Sequence, residues 1–173
     1  NYILSCRTEK GTLPANPVVV KTIVTSDLAS RIAEKYGCTV IEVLTGFKYI
    51  GEQIGLLEKD GQADRYVFGF EESYGYLSGA YVRDKDGVNA SMLVCEMAAF
   101  YLRQNKSLLD VLADLYAEHG VYRHETINAA FEGAAGMETM NRIMDTLRSN
   151  PPHAIAGLKL IRFSDYWNSC QED

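Results

Sequence analysis

The sequence predicts an α/β protein: a three-layer α/β/α domain built on a mixed, mostly parallel four-stranded sheet, followed by an incomplete α+β segment. Three observations carry this expectation. Apolar runs rich in β-branched or aromatic residues, at Val18–Val24, Thr39–Leu44 and Tyr66–Phe70, alternate with segments of helical spacing. The first of these runs is almost continuously apolar, the pattern of a strand covered on both faces in a parallel or mixed sheet. The joints are short, so strand, helix and strand read as βαβ units with right-handed crossovers.

Taken in order, Tyr2-Ile3-Leu4-Ser5 is a short strand candidate, and Gly11 to Pro17 is a loop containing Gly and Pro. After the strand Val18–Val24, Ser26 or Asp27 is placed to cap a helix in which Leu28, Ile32 and Tyr36 recur with helical spacing. Gly37 stands where a left-handed C-terminal residue is expected. The strand Thr39–Leu44 leads through Thr45-Gly46 into a helix carrying Phe47, Ile50, Ile54 and Leu57, which closes near Gly61. Beyond Tyr66–Phe70, Leu77 to Val82 is predicted as a short antiparallel strand. Arg83-Asp84-Lys85-Asp86-Gly87 is a tight polar turn whose Asp86 can cap the following helix. That helix, Val88 to Leu102, is apolar on most sides and is expected to be buried against more than one partner. Ser107 with Asp110 resembles a capping box, opening a helix that ends at Gly120. Val121 to Phe131 is strand-like, Glu132 to Gly136 a loop, and Met137, Met140, Met144 and Leu147 mark a further helix stopped by Pro151-Pro152. Leu158–Ile161 is the last predicted strand, ahead of a polar tail. Residues 1–120 thus form one α/β unit, and 121–173 a linker and the start of another domain.

Composition narrows the function classes. A net charge of −6 with no basic patch argues against a nucleic-acid partner. Cysteines at 6, 38, 95 and 170 form no CxxC pair, and scattered single thiols suggest a reducing, cytoplasmic setting. His119, His124 and His153 have no zinc spacing, so no metal site is expected. There is no apolar run of the roughly 18 residues that a membrane span requires. The chain opens without Met, which suggests an excised piece of a longer one.

The chemistry concentrates in Gly69-Phe70-Glu71-Glu72-Ser73-Tyr74-Gly75, where the third strand ends. Ligands of open α/β sheets bind beyond the carboxyl ends of strands. Acceptors and donors at this density suit a sugar's hydroxyls, and Gly69 and Gly75 would let the backbone bend or approach a ligand closely. Lys48, in the first turn of the helix after the second strand, would add positive charge to a helix amino end that already favours anions.

These motifs together make the chain similar to the α-D-phosphohexomutases, the phosphoglucomutase/phosphomannomutase family. The residues that carry the likeness are Thr45-Gly46-Phe47-Lys48, Glu71-Glu72-Ser73-Tyr74-Gly75 and the turn Arg83–Gly87, in the order and spacing of the family's third domain. The likeness covers roughly residues 17–120 and continues more loosely through Asp165-Tyr166 into the start of the fourth domain. It implies an enzyme that interconverts hexose 1-phosphate and hexose 6-phosphate through a phosphoserine and a hexose 1,6-bisphosphate that turns over in the cleft. By this likeness Glu71 and Ser73 would bind two neighbouring ring hydroxyls in both orientations of the sugar. Thr45, Gly46 and Lys48 would contact the substrate, Lys48 with an added proton-shuttle role. Glu72, on the opposite face of the extended chain, would be structural.

The likeness also implies magnesium and the remaining domains of the same polypeptide as partners. The family's Ser-His-Asn-Pro, Asp-x-Asp-x-Asp and Ser-Gly-Thr loops are absent from this sequence. The phosphoserine, the metal and a phosphate site would therefore belong to other domains, and the isolated chain is expected to be inactive. Tyr74-Gly75, where some members have Gly-His, points to the phosphoglucomutase-like branch. Three other readings compete. A hydrolase using Glu71 and Glu72 as an acid/base pair has poor geometry, because adjacent strand residues point apart. A nucleotide-binding module lacks G-x-G-x-x-G and a Walker loop. A non-catalytic structural or interaction domain is the remaining alternative.

Overall fold

Five consecutive buried residues, Val18–Thr22, form β1, the central strand of a computed structural model that describes residues 1–124, 129–166 and 170–172. β1 pairs in parallel with β2 (Thr39–Val43) on one side and with β3 (Tyr66–Glu71) on the other; β4 (Gly75–Leu77) returns antiparallel to β3. The order β2-β1-β3-β4 is the mixed, mostly parallel four-stranded sheet that the sequence predicts.

The alternation of β1 explains its unbroken apolar run. Val18 and Val20 pack with Phe47, Ile50 and Ile54 of α3 (Phe47–Lys59), together with Tyr66 and Leu77. Val19 joins the opposite core, with Ala33 of α2 (Leu28–Lys35), Leu4, Cys38 and Val67. Each face of the sheet therefore carries its own core, which makes the three layers. Ile50 and Ile54 are completely buried, and each contributes about 2 kcal/mol of apolar burial.

Several boundaries differ from the sequence expectation. Tyr2-Ile3-Leu4-Ser5 is helical, as the start of α1 (Tyr2–Glu9). A four-residue, mostly apolar run cannot distinguish the two states, and tertiary packing decides. Tyr2 and Leu4 are both buried, and the Tyr2 ring lies 5.2 Å from Phe100 and 6.2 Å from Tyr101. The antiparallel strand is Gly75–Leu77, not Leu77–Val82. The turn Glu72–Tyr74 reverses the chain within three residues, so Gly75 already pairs with Glu71, and Gly79 (φ 92°) then leads the chain away.

α4 (Gly87–Leu102) begins at the expected cap, where the Asp86 carboxylate accepts from the Asn89 N–H at 2.9 Å. Its expected burial on most sides is not found. Only Tyr101 is buried, while Val88, Met92, Val94 and Leu102 are at least half exposed. The composition is apolar all round, but one side alone meets the sheet layer. There Leu93 and Met97 line an apolar cavity of about 360 Å³ with Val19, Ile32, Phe68 and Phe70. The capping box of α5 (Leu108–His119) forms with Asp in place of Glu. The Asp110 carboxylate accepts from the Ser107 N–H at 2.8 Å, and the Ser107 hydroxyl accepts from the Asp110 N–H at 3.2 Å.

The chain divides into two compact units, Asn1–His124 and Glu125–Asp173. In the second, α6 (Gly133–Ser149) starts where a loop was expected at 132–136, since Ala134 and Ala135 are good helix formers. The strand-like segment 121–131 has no strand at 121–124 or 129–131, and its residues 125–128 lie outside the described residues. The last predicted strand is shorter and belongs to a hairpin. β5 (Ala154–Ile155) pairs with β6 (Leu158–Lys159) through Ala156 and Gly157, both at positive φ, the geometry of a tight two-residue hairpin turn. β7 (Phe163–Asp165) pairs with β8 (Cys170–Glu172), within the segment that the sequence marks only as a polar tail; residues 167–169 and 173 of that tail lie outside the described residues. Among the described residues no helix is long and apolar enough to cross a membrane.

Candidate functional site

β1 is followed in sequence by β2 on one side and, one crossover later, by β3 on the other. The order of the sheet thus reverses at β1, and in sheets of this kind ligands bind beyond the carboxyl ends of the strands at such a switch point, here β1 and β3. The expected site residues lie where β2 and β3 end, at Thr45, Gly46 and Lys48 and at Glu71 and Ser73.

Glu71 is the last residue of β3 and is buried, with 7% of its surface exposed. It fits because its partner in the antiparallel register is Gly75. A Cβ on Gly75 would stand 2.7 Å from Glu71 Oε1 and 3.0 Å from Phe47 Cδ2. The glycine therefore makes room for a carboxylate wedged beside an aromatic ring. Ser73 is exposed on the turn that follows, next to Tyr74, which is 85% exposed at φ 63°. A non-glycine aromatic residue in the left-handed region is uncommon.

Thr45 and Gly46 leave β2 and open α3, with Gly46 (φ 125°, ψ 126°) at its N-cap. The Gly46 carbonyl accepts from the Tyr49 N–H at 3.0 Å, and the first amide groups of the helix stay directed outward at its positive end. Lys48 is exposed, with Nζ 4.7 Å from the centre of the Tyr49 ring, and forms no ion pair among the described residues. Phe47 joins the two halves of the site, because its ring touches the space between Glu71 and Gly75.

Two features lie beyond the residues that the sequence singles out. The first is Lys85, whose Nζ lies 5.7 Å from the Phe47 ring centre and 3.2 Å from Asp84 Oδ1. From the sequence the turn Arg83–Gly87 reads as a helix opener and as one of the motifs that carry the family likeness, with no site role for Lys85. It is docked on α3, with Arg83 paired to Glu58 and the Asp86 N–H donating to the Tyr76 carbonyl at 2.9 Å. The Asp86 carboxyl is held below its ordinary range by the Asn89 N–H and then by the Tyr81 hydroxyl. The second is the buried Lys21, 1% exposed, whose ammonium meets Glu42 at 2.7 Å, the Thr25 carbonyl at 3.0 Å and Asp27 at 3.2 Å. Beside it the Thr22 hydroxyl donates to Glu72 Oε2 at 2.7 Å. The only sequence signal for Lys21 is a lysine inside an apolar strand.

The assembled site offers one buried carboxylate, exposed hydroxyls, two ammonium groups and a helix amino end. That set suits a ligand that is both polyhydroxylated and anionic. Among the described residues no three His, Cys, Asp or Glu side chains converge in a way that would hold a metal ion.

Comparison with known proteins fits this geometry. The family model described as phosphoglucomutase/phosphomannomutase, alpha/beta/alpha domain III, matches residues 2–119. A phosphoglucomutase of Staphylococcus haemolyticus (strain JCSC1435) is 39% identical over 154 residues, which cover 89% of this chain and 28% of that protein. A phosphoglucomutase of Staphylococcus aureus (strain USA300) is 36% identical over 167 residues, covering 96% of this chain and 30% of that one. A solved structure of a protein assigned as a phosphomannomutase from Thermus thermophilus superimposes with a TM-score of 0.52 over 69% of this chain and 24% of its own, at 24% identity, a likeness of fold. The chain spans less than a third of the length of the curated relatives it matches.

Proposed function

The chain belongs to the phosphoglucomutase/phosphomannomutase family, and we propose that its first unit is the sugar-holding domain of a longer phosphohexomutase polypeptide. In this reading the whole enzyme interconverts hexose 1-phosphate and hexose 6-phosphate through a phosphoserine and a hexose 1,6-bisphosphate, both phosphoryl transfers taking place on other domains. The observation that carries the reading is Glu71. It is a carboxylate set into a glycine-made recess beside Phe47, at the sheet's switch point, two residues from an exposed serine hydroxyl.

Glu71 accepts from two neighbouring ring hydroxyls, and Ser73 adds a donor and acceptor beside it. Phosphoryl transfer requires mainly positioning and charge stabilisation from the protein. A carboxylate that fixes the ring serves the first need, and the α3 amino end with Thr45, Gly46, Lys48 and Lys85 serves the second. Holding the acidic group against the sugar keeps it away from the phosphate it would repel. Because the hydroxyl pattern is met in both orientations, one site serves both half-reactions. Lys48, exposed and in no ion pair among the described residues, contacts the reacting end and passes a proton there. Magnesium would be held by residues of another domain, and no step here runs through it. The free thiols of Cys6, Cys38 and Cys95 accord with a cytoplasmic protein.

The test uses the longer polypeptide that carries this domain. Glu71→Gln and Ser73→Ala are each expected to lower mutase turnover about tenfold or more, a loss of about 1.4 kcal/mol of transition-state stabilisation, with unchanged thermal unfolding. The chain by itself should convert no glucose 1-phosphate. Wild-type turnover in both variants would remove the sugar-site assignment.

A further inference from the structure

We propose that the hydrogen bond from Thr22 to Glu72 is a strap that positions the sugar-holding turn, anchored by Lys21. The proposal rests on the sugar-site reading above and adds to it the residues that set the turn in place.

The turn Glu72–Tyr74 is short, exposed and bent through a left-handed tyrosine. Such backbone persists when its surroundings hold it. Strand alternation carries Glu72 away from Glu71, and its carboxylate reaches across to β1. There Oε2 accepts from the fully buried Thr22 hydroxyl at 2.7 Å, with the Thr25 hydroxyl 3.5 Å away. The two threonine hydroxyls are 2.8 Å apart. Each hydroxyl has one proton. With the Thr22 proton committed to the carboxylate, Thr25 donates to Thr22, and the chain of donors runs in one direction toward Glu72.

The threonines are themselves fixed. The Thr25 N–H donates to the Thr22 carbonyl at 3.0 Å, closing a turn at the end of β1. The Thr25 carbonyl is held from the other side by Lys21 Nζ, whose three protons match its three acceptors on Thr25, Asp27 and Glu42. Lys21 is thus a fixed post on the sheet. The Thr22–Thr25 turn is tied to it, and the sugar turn is tied to the threonines across the β1–β3 boundary.

A strap of this kind acts before binding. It raises the fraction of molecules whose turn already has the geometry the sugar needs, and apparent affinity falls in proportion when that fraction falls. Its signature is therefore a rise in KM with little change in kcat, unlike the turnover loss expected when Glu71 itself is altered.

The experiment again uses the longer polypeptide, with glucose 1-phosphate as substrate. Glu72→Ala is at an exposed position and leaves the core intact; Thr22→Val keeps shape and removes the donor; Thr22→Ser restores it. We expect KM to rise about tenfold in the first two with kcat within about twofold, and to return near wild type in Thr22→Ser. Amide exchange across residues 71–77 should quicken in Glu72→Ala. If Glu71→Gln and Ser73→Ala impair turnover while Glu72→Ala leaves KM and exchange unchanged, the strap is refuted and the sugar site stands. Damage in Thr22→Val alone would give Thr22 a folding role and also refute it. If the Glu71 and Ser73 variants are silent, the sugar reading falls and the strap's role falls with it.

Discussion

Gly69→Ala tests the packing that places the site. Gly69 lies in mid-β3, paired with Val20 of β1 on one side and Leu77 of β4 on the other. A Cβ there would stand 2.6 Å from Ile50 Cγ2 and inside the contact distance of the Tyr66 hydroxyl. Neither neighbour has solvent to move into, since Ile50 is 0% and Tyr66 2% exposed. The backbone cannot retreat without breaking ladders on both sides. The ring of Tyr66 must rotate, and with it goes the hydroxyl's bond to the Leu77 carbonyl, 3.2 Å long. Overpacking of this kind costs about 1–3 kcal/mol and the lost hydrogen bond about 1 kcal/mol, offset by roughly 0.5–1 kcal/mol from a stiffer unfolded chain. The net loss is about 1–3.5 kcal/mol, or a fall in Tm of about 3–10 °C at roughly 3 °C per kcal/mol for a chain of this size. Gly55→Ala is the control. Gly55 lies within α3, and a Cβ added there meets nothing within 4 Å. The same exchange should therefore stabilise by about 0.5–1 kcal/mol. Thermal unfolding followed by far-UV circular dichroism reads both. A Gly69→Ala variant within about 1 °C of wild type, or two variants shifted in the same direction, would refute the reasoning.

Lys21→Met removes a buried charge whose acidic partners, Asp27 and Glu42, still reach solvent. The cost should be about 1–2 kcal/mol by urea unfolding, well below the 3–5 kcal/mol of a pair that leaves a buried charge orphaned, and a loss at that upper level would contradict the arrangement. Asp86→Ala removes the N-cap of α4 and should lower Tm by about 3 °C; no change would mean that the Tyr76 contact alone starts the helix. Asp86 and Asp110 have their folded pKa values depressed below the ordinary 3.8, by the Asn89 N–H and by Ser107 respectively. Their contribution is therefore complete above that value and is lost as pH falls through the lower folded values. A pH titration of stability should be flat above about pH 5 and fall below about pH 4, and less steeply in Asp86→Ala/Asp110→Ala.

What is legible in the sequence follows from the range of the forces involved. β1 reads correctly because burial on both faces leaves a local trace, an unbroken apolar run. The caps at Asp86 and Ser107 read correctly because a cap is a contact between residues three apart. Tyr2–Ser5 misreads because its state is decided by Phe100 and Tyr101, about a hundred positions away. α4 misreads for a related reason: composition records what a helix could bury, and the fold decides how much partner surface it meets. Val88 and Met92 look like core in the sequence and stand largely in solvent.

The site divides along the same line. Glu71 and Ser73 are visible as a strand exit because donors, acceptors and glycines crowd into seven residues. Even so, the sequence suggests the wrong partner for the glycines. Gly69 makes room for Tyr66 and Ile50 of the domain itself, and Gly75 makes room for Glu71. The alternation argument that sends Glu72 to the other face is sound, but it cannot say what waits there. That depends on the parallel register of β1 and β3, which brings Thr22 to Glu72 across 50 residues of sequence. A register between two apolar strands is set by how their two cores interlock, and neither strand encodes it alone. The groups that would touch a sugar are thus written locally, and the groups that hold them in place are written in the packing. Substitutions at Thr22 and Lys21 are the ones that test whether this division is real.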